Sequence, residues 1–249
     1  MKTILSSFPA TIVLAAGALF APLAAVPAHA GCTPPPTGIV GWWQAESNAV
    51  DIIGGDNGSV AAGVTYAAGE TGFGFNFPGN ANVTIPDEPA LNPTNALTIE
   101  LWVYVRAAVP SHWSQDLVNK DGECGSRQYM LNVGDSTASP GMGDFRAHIG
   151  VSSGLQIFDG ATIIQSNTWY HVAETYDGTN LILYVNGNVD GKMAVSGPII
   201  TTTEPLRLGG GADPGCPAYY FNGMMDEVSI YNRALSSNQI AAIYQAGSA

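Results

Sequence analysis

Two adjacent carboxylates, Asp226 and Glu227, precede an apolar run in the stretch NGMMDEVSIYNRAL (Asn222–Leu235). They could be a catalytic pair, a metal site or the polar start of a strand. Because neighbouring strand residues face opposite sides of a sheet, the alternation predicts that Asp226 points inward with Val228 and Ile230 and that Glu227 points outward. Carboxylates on opposite faces cannot flank one sugar bond, which in a retaining glycosidase needs carboxyl groups about 5–5.5 Å apart. The pattern therefore disfavours a catalytic pair.

An inward carboxylate at a sheet end must be compensated. It can neutralise, accept backbone N–H groups, pair with a basic residue or bind a metal. The chain has eight lysines and arginines, and Lys2 lies in the leading segment, so seven remain for the fold. This scarcity favours a metal, while hydrogen bonding to the backbone with a basic neighbour stays open.

A second acidic stretch, ESNAVDIIGGDNGS, surrounds a Gly-Gly bend. Hard cations such as calcium take six to eight oxygen ligands, and turn chemistry alone also favours Asp, Asn and Gly. The spacing is not that of an EF-hand loop, so composition by itself favours a turn over a metal site. The side chains that could supply oxygens are Glu46, Asn48, Asp51, Asp56 and Asn57.

The elements that must position these residues are nearly all strands. LTIELWVYV (Leu97–Val105) alternates with period two, and Thr168–Gly191 reads as three strands joined by two tight turns. One short helix is predicted after Ser236, with Gln239 completing a capping box. Regular turn signals favour an antiparallel sandwich. Further predicted strands are Ile39–Trp43, Gly72–Phe77, Asn82–Ile85, Gln128–Val133, Phe145–Val151 and Leu206–Gly209.

The first 30 residues have the pattern of a secretory signal, with Lys2 before an apolar centre and the small-x-small sequence Ala28–Ala30. Residues 31–37 are a Pro-rich lead-in, and a lipoprotein anchor through Cys32 is the alternative interpretation. No other apolar run is long enough to span a bilayer. We therefore expect a secreted or cell-surface protein with no transmembrane segment.

A formal net charge of −12 disfavours nucleic acid and anionic membranes as partners. Export permits disulfides, and Cys124 and Cys216 both lie in Gly-rich stretches. We predict a bridge between them, with Cys32 free or paired between chains; three reduced, structural cysteines are the alternative. The sequence does not determine an oligomeric state.

Loop aromatics are candidates for ligand contact because flat rings stack on sugars and anchor protein partners. These are Trp113, Tyr219 and Tyr220. His171 could suggest a general base, but no nucleophile elbow or metal-type spacing accompanies it. A histidine packed in its strand is the simpler interpretation.

Five segments in order, including TGIVGWWQAESNAVDIIGGDNGSV, ALTIELWVYV and FNGMMDEVSIYNRALSSNQIAAIYQAG, closely resemble the laminin-G-like jelly-roll domain of the concanavalin A-like superfamily. The resemblance covers Gly38–Gly247, so we place the domain at residues 38–249. It implies an all-β, two-sheet antiparallel jelly-roll sandwich with one short C-terminal helix.

The resemblance also implies a calcium ion between the first loop and the last strand. Carried over by residue, the ligands would be Asp51 and Asp226, with Glu46 or Asn48 as a further ligand. It implies a non-catalytic recognition module for carbohydrates or extracellular proteins. The E-x-D-x-x-E signature of the related β-glucanases is absent. A purely structural or adhesive surface domain is the alternative, and a glycoside hydrolase is a weaker one.

Overall fold

The computed structural model describes residues 34–106, 114–121, 127–134, 143–211 and 218–247. Residues 1–30, the three cysteines and Trp113 lie outside these ranges, so the signal, the Cys124–Cys216 bridge and the role of Trp113 stay predictions. The strands are β1 (Ile39–Trp43), β2 (Ser59–Val60), β3 (Thr65–Ala68), β4 (Phe73–Pro78), β5 (Val83–Ile85), β6 (Leu97–Val105), β7 (Gln115–Asp121), β8 (Arg127–Gly134), β9 (Asp144–Val151), β10 (Gly154–Ile163), β11 (Trp169–Tyr176), β12 (Asn180–Val185), β13 (Asn188–Ala194), β14 (Leu206–Leu208) and β15 (Asn222–Tyr231).

The strands form two antiparallel sheets. Sheet A has the order β13-β12-β11-β6-β15-β4-β3, and β1 pairs with the second half of β15. Sheet B has the order β10-β9-β8-β7-β14-β5-β2. The two sheets and the C-terminal helix α1 (Ser237–Ala246) confirm the predicted all-β jelly-roll sandwich with one short helix.

The core lies between the sheets, and strict alternation in β6 builds half of it. Leu97, Ile99, Leu101, Val103 and Val105 are fully buried and belong to one cluster with apolar residues of sheet B. This burial follows from the period-two pattern, which puts every second side chain on one face.

Helix α1 covers part of the outer face of sheet A. Ser236 and Gln239 form the predicted capping box. Ile240 and Ile243 are the buried residues of the helix and share a small apolar cluster with Tyr184 and Tyr231. Within the described ranges, no helix has the length and apolarity that crossing a bilayer requires.

Strand β15 carries an irregularity that reverses its alternation. Asp226 pairs with Trp102 and Ser229 pairs with Glu100, so β15 has one more residue than β6 between these pairs. Glu227 takes up the difference with a φ of 54°, in the left-handed region. This is the geometry of a β-bulge.

The bulge corrects the sequence-based assignment of faces. Met225, Val228 and Ile230 point into the core, whereas Asp226 lies on the outer face of sheet A beside Trp102. The prediction that Asp226 points inward with Val228 and Ile230 is wrong, because the extra residue at Glu227 places Asp226 on the opposite face of the sheet. Glu227 lies outside the core, as predicted, and it is buried there, where Trp42 Nε1 donates to its carboxylate.

Replacing Ile99 with alanine should lower the free energy of unfolding by about 2–5 kcal/mol, because Ile99 is fully buried and truncation leaves a cavity. The matched control is Ile52→Ala, since 49% of Ile52 is exposed; it should change stability by less than about 0.5 kcal/mol. Urea unfolding followed by tryptophan fluorescence measures both. Equal losses in the two variants would contradict the assigned core.

Candidate functional sites

Asp51 organises the first loop through four backbone amides. Its Oδ1 accepts the N–H groups of Trp42 at 2.8 Å and Ile53 at 2.9 Å, and its Oδ2 accepts those of Gly54 at 2.9 Å and Asp56 at 3.1 Å. A carboxylate offers about four lone-pair sites, so these donors use them all. The arrangement fits a turn and does not fit a calcium ligand.

Asn48 is also engaged locally. Its Oδ1 accepts the Val50 N–H at 2.9 Å, and its Nδ2 donates to the Glu46 carbonyl at 2.8 Å. This is an Asx-type turn. The Asn48 side-chain oxygen is therefore committed to the loop itself.

Asp226 and Glu46 keep oxygens that the backbone does not use. Asp226 is fully buried; its Oδ2 accepts the Thr71 N–H at 2.9 Å, whereas its Oδ1 has no hydrogen-bond partner. Glu46 accepts the Phe73 N–H through Oε1 at 3.1 Å. The loop between β3 and β4 therefore contacts both carboxylates.

Two glycines permit this close approach. A Cβ at Gly69 would collide with the Asp226 carboxylate, and a Cβ at Gly72 would collide with that of Glu46. Gly72 also has a φ of 55°, which favours glycine. The loop backbone thus lies directly against the two acids.

Glu227 completes an acidic cluster with Glu46 and Asp226. Burial raises the pKa of Glu227 to about 8; a 2.6 Å hydrogen bond from Trp42 Nε1 opposes the rise, and the negative charges of Asp226, Glu100 and Glu46 add to it. Burial likewise raises the pKa of Asp226 to about 7, against hydrogen bonds from the backbone of Thr71 and Glu227. Ionising both acids therefore costs free energy, and a bound cation would reduce that cost.

The acidic cluster fits a cation only in part. Among the described residues, no three His, Cys, Asp or Glu side chains are grouped closely enough to hold a metal. The unpartnered Oδ1 of Asp226 and the Glu46 carboxylate can supply oxygens, so main-chain carbonyls or water would have to complete a shell. The carboxylate oxygens of Asp226 and Glu46 are therefore suitable ligands for calcium, and the metal site stays a prediction.

The second candidate site, here called the polar face, consists of the side chains of sheet B that point away from the core. One cross-strand row joins Asp116 of β7 to Asn132 of β8, Asn132 to Arg146 of β9, and Arg146 to Asp159 of β10. Side chains directly opposite each other on one face lie close enough to interact. The row is polar along its whole length.

A second row lies beside the first. It runs from Arg207 to Asn119, Met130 and His148 through successive strand pairs. Except for Arg207, which is 9% exposed, these side chains are at most 3% exposed, although they do not belong to the core. The polar groups of this row are therefore shielded from bulk water and depend on protein, ordered water or a ligand for their hydrogen bonds.

Asp116 is hydrogen-bonded to its neighbours on the polar face. It accepts hydrogen bonds from Asn119 Nδ2 at 3.0 Å and from the Ser114 hydroxyl at 3.2 Å. Burial raises its pKa to about 6, although these bonds and the Arg127 charge oppose the rise. The carboxylate is thus held in place by its neighbours.

Several polar atoms of this face have no partner. They include Asn119 Oδ1, Asn132 Oδ1, Gln128 Nε2 and His148 Nε2. A buried polar atom without a hydrogen bond costs about 1–3 kcal/mol, so such atoms indicate ordered water or a ligand. Their position among two rows of mostly polar side chains outside the core makes this face a candidate binding site.

Of the predicted ligand-contact aromatics, Tyr219 lies next to the polar face. Its carbonyl accepts the Asp116 N–H at 3.0 Å, and both Tyr219 and Tyr220 are half-buried. The sequence predicted Tyr219 as a ligand contact, whereas the polar face itself was not predicted. The alternation of Gln128, Met130 and Asn132 in β8 was the available signal.

His171 is a structural residue. Its Nε2 lies 3.0 Å from Glu100 Oε2, both side chains are fully buried, and the Trp102 ring packs against it at 5.4 Å. The pair belongs to the outer face of sheet A, since Glu100 and Trp102 alternate with core residues of β6. This agrees with the packed-histidine interpretation.

The profile of the concanavalin A-like lectin/glucanases superfamily, in its laminin-G-like branch, matches residues 77–241. The chain belongs to this superfamily. No curated protein matches the chain in sequence. The match includes β15 and the whole polar face between β7 and β14.

Solved structures share the fold of this superfamily member. Domain 4 of AbnA, an extracellular arabinanase of family GH43 from Geobacillus stearothermophilus solved with arabinotriose, has a TM-score of 0.63 and 19% identity over 83% of this chain and 98% of its own. The binding domain of Paraclostridial Mosquitocidal Protein 1 has a TM-score of 0.67 and 18% identity over 83% of this chain and 52% of its own.

A structure of botulinum neurotoxin type C, described as depending on two ganglioside molecules for cell entry, has a TM-score of 0.65 and 12% identity over 84% of this chain and 51% of its own. The chain therefore spans about half the length of the two toxin structures. At these identities the similarity establishes the fold alone. Several neighbours are described as binding domains, and one is a Trypanosoma rangeli sialidase.

The acidic cluster should make stability depend on pH when divalent metals are removed. An acid whose pKa is raised by folding holds its proton more tightly in the folded chain. The stabilisation from protonated Asp226 and Glu227 is full below their unfolded pKa values of 3.8 and 4.5, and it is lost as the pH rises through about 7 and 8. Urea unfolding in chelator at pH 5 to 9 should therefore show falling stability, with a shallower fall in Glu227→Gln.

The control for this experiment is Asp177→Asn. Local hydrogen bonds from Thr179 and Asn180 outweigh burial and lower the pKa of Asp177 to about 2, so this acid does not titrate between pH 5 and 9. The control should keep the wild-type slope. If the stability of Glu227→Gln fell with pH as steeply as that of the wild type, the raised pKa assigned to Glu227 would be contradicted.

Proposed function

We propose that this protein is a non-catalytic carbohydrate-recognition module that binds glycans on the polar face. The observation that carries the proposal is the group of buried, unpartnered polar atoms on a sheet face outside the core. Amide and carboxylate side chains held by a rigid sheet are suited to sugar hydroxyls, because each offers donors and acceptors in fixed directions. The solved complex of the AbnA domain with arabinotriose supports a glycan ligand.

The proposed site combines hydrogen bonding with one flanking aromatic segment. Asn119, Asn132 and Asp116 would contact hydroxyl groups, and Tyr219 and Tyr220 would contribute apolar ring surface at the end of β7. An extracellular protein partner is the second kind of ligand, supported by a neighbour solved with synaptotagmin II. The unpartnered polar atoms favour the glycan.

A binding role is favoured over hydrolysis. Along the first row, Asp116 is followed by an amide and a guanidinium before the next carboxylate, Asp159, three strands away. Strands lie about 4.8 Å apart, so the two acids are too widely separated for the carboxyl spacing of about 5–10 Å that glycosidases use. The absence of reducing-end release from glycans would agree with this role.

We also propose a calcium ion at the acidic cluster, held by Asp226 and Glu46 and by backbone or water oxygens. Supporting it are the unpartnered Asp226 Oδ1 and the raised pKa values of Asp226 and Glu227. The ion would fix the first loop to β15. Export through the leader and a Cys124–Cys216 bridge belong to the same proposal, as expected for an acidic exported domain.

Asn132→Ala should weaken binding of the best glycan on an array by about tenfold or more, because it removes hydrogen-bonding groups from the centre of the polar face. Isothermal titration of that glycan measures the loss. Asn188→Ala is the control, since Asn188 lies exposed in the β12–β13 hairpin and donates to the Asn186 carbonyl. Absence of glycan binding by the wild type would refute the function, and equal binding by Asn132→Ala would refute the site.

Millimolar calcium should raise the melting temperature of the wild type by about 5–10 °C relative to chelator, if the ion is about a hundredfold above its dissociation constant. Asp226→Asn should abolish this difference. Asp51→Asn should melt lower in both conditions, because the amides lose a carboxylate, yet retain the difference. A wild type that does not respond to calcium would exclude the ion.

A further inference from the structure

Sheet B holds most of the arginines of an otherwise acidic protein. The chain has a formal net charge of −12, yet Arg127, Arg146 and Arg207, three of its five arginines, lie on strands of this sheet. Arg127 and Arg146 are both close enough to His148 for their charges to lower its pKa, which burial already places well below the usual value. Both arginines are also paired with carboxylates, Arg127 with Asp121 and Arg146 with Asp159, so each guanidinium is held in place on this sheet.

His148 presents a buried donor. Arg127 Nη1 lies 3.4 Å from His148 Nδ1. A guanidinium has only donors, so Nδ1 must accept, and the proton of the neutral ring lies on Nε2. This Nε2–H group is buried without a partner. The ring is 2% exposed.

Gln128 supplies a second unpartnered donor on the same face. Its Oε1 accepts the Thr202 N–H at 3.3 Å, so the amide nitrogen points the other way. That Nε2 has no partner. Gln128 lies two residues along β8 from Met130, the cross-strand partner of His148. The two donors are therefore diagonal neighbours across β8 and β9.

Arg146 adds a guanidinium that is already oriented. Its Nε donates to Asp159, and its guanidinium carbon lies 2.7 Å from where a Cβ at Gly134 would be. Gly134 thus leaves the space in which the planar group rests. The terminal nitrogens have no hydrogen-bond partner among the described residues, and 24% of the side chain is exposed. Arg146 precedes His148 by two residues along β9, so two strand rises separate them by about 6.6 Å.

The polar face is therefore divided into two halves. The β7 side carries Asp116 and the unpartnered acceptor Asn119 Oδ1, and the β9 side, here called the donor half, carries Arg146 and the unpartnered His148 Nε2. Strand β8 between them carries one unpartnered acceptor, Asn132 Oδ1, and one unpartnered donor, Gln128 Nε2. Strands β7 and β9 lie about 9.6 Å apart, or two strand spacings. A single sugar ring with its substituents can reach from one half to the other.

Resting on the proposed glycan function, we propose that the donor half of the polar face binds the carboxylate of an acidic sugar, through Arg146 and His148. Hydroxyl groups of the same ring contact Asn132 and Asn119. Charge-assisted hydrogen bonds to a carboxylate are stronger than those to a hydroxyl, so the acidic group sets the specificity. Uronic acids and sialic acids are both candidates, because each is a pyranose that bears one carboxylate.

Isothermal titration with two matched pairs tests the proposal: trigalacturonate against its methyl ester, and 3′-sialyllactose against lactose. In at least one pair the acid should bind about tenfold to a hundredfold more tightly than its neutral partner, and the preference should shrink in high salt. The responding pair identifies the source of the carboxylate. Equal affinity within both pairs would overturn the proposal.

Arg146→Gln should remove the preference for the acid, since it deletes the charge and keeps a hydrogen-bonding side chain on the face. Arg106→Gln is the control, because it changes net charge equally at a site where Arg106 Nη2 donates to Asn76 at 2.7 Å. Equal loss in both variants would reduce the effect to overall charge and overturn the proposal.

The outcomes also separate this proposal from the glycan function itself. Suppose that the protein binds neutral glycans on an array, that Asn132→Ala weakens this binding, and that neither acid is preferred over its neutral partner. The glycan function then stands, and the specificity for acidic sugars fails. If no glycan binds at all, both fail. Circular dichroism and melting of each variant confirm that it is folded.

Discussion

The bulge in β15 is the constraint on which the rest of the structure depends. This strand pairs with β6 along its length, with β4 over its first half and with β1 over its second half. The extra residue at Glu227 lets the strand bury Met225, Val228 and Ile230 in one core while Asp226 stays on the opposite face. A regular strand would have forced either a carboxylate into the core or an apolar side chain out of it.

Local signals predicted much of the fold. Strand β6, the β11–β12–β13 unit and the capped helix were recognisable because alternation, an Asn-Gly turn and a capping box each act within a few residues. Strand β7 was missed because QDLVNKD has a polar outer side and a local register shift near Val118. Strand β10 was missed because its alternation is broken by glycines and by an irregular pairing with β9.

The candidate sites were less accessible from sequence for physical reasons. Asp226 and Glu46 were predicted to share a cation, and the structure brings both against the loop between β3 and β4. The face of Asp226 could not be predicted because it depends on a positive φ at a glutamate, where glycine or asparagine is usual. Asp51 resembled a metal ligand because a turn-organising aspartate and a calcium-binding one share the same surrounding residues. The polar face depends on cross-strand register, which joins residues far apart in the chain, and the local alternation in β8 marks only one of its strands.

The antiparallel pairing of β1 with β15 determines how the domain would respond to a pulling force. Ile39 lies opposite Tyr231, and the pairing extends outward through the Asn232 amide on the Gly38 carbonyl and Arg233 Nε on the Thr37 carbonyl. The chain therefore enters and leaves the sandwich at one end of the same strand pair. Tension between the flanking segments, once α1 has detached, would load these hydrogen bonds one after another instead of all together. Under a pulling force the domain would therefore unfold by sequential separation of β1 from β15, beginning at the pair of Ile39 and Tyr231.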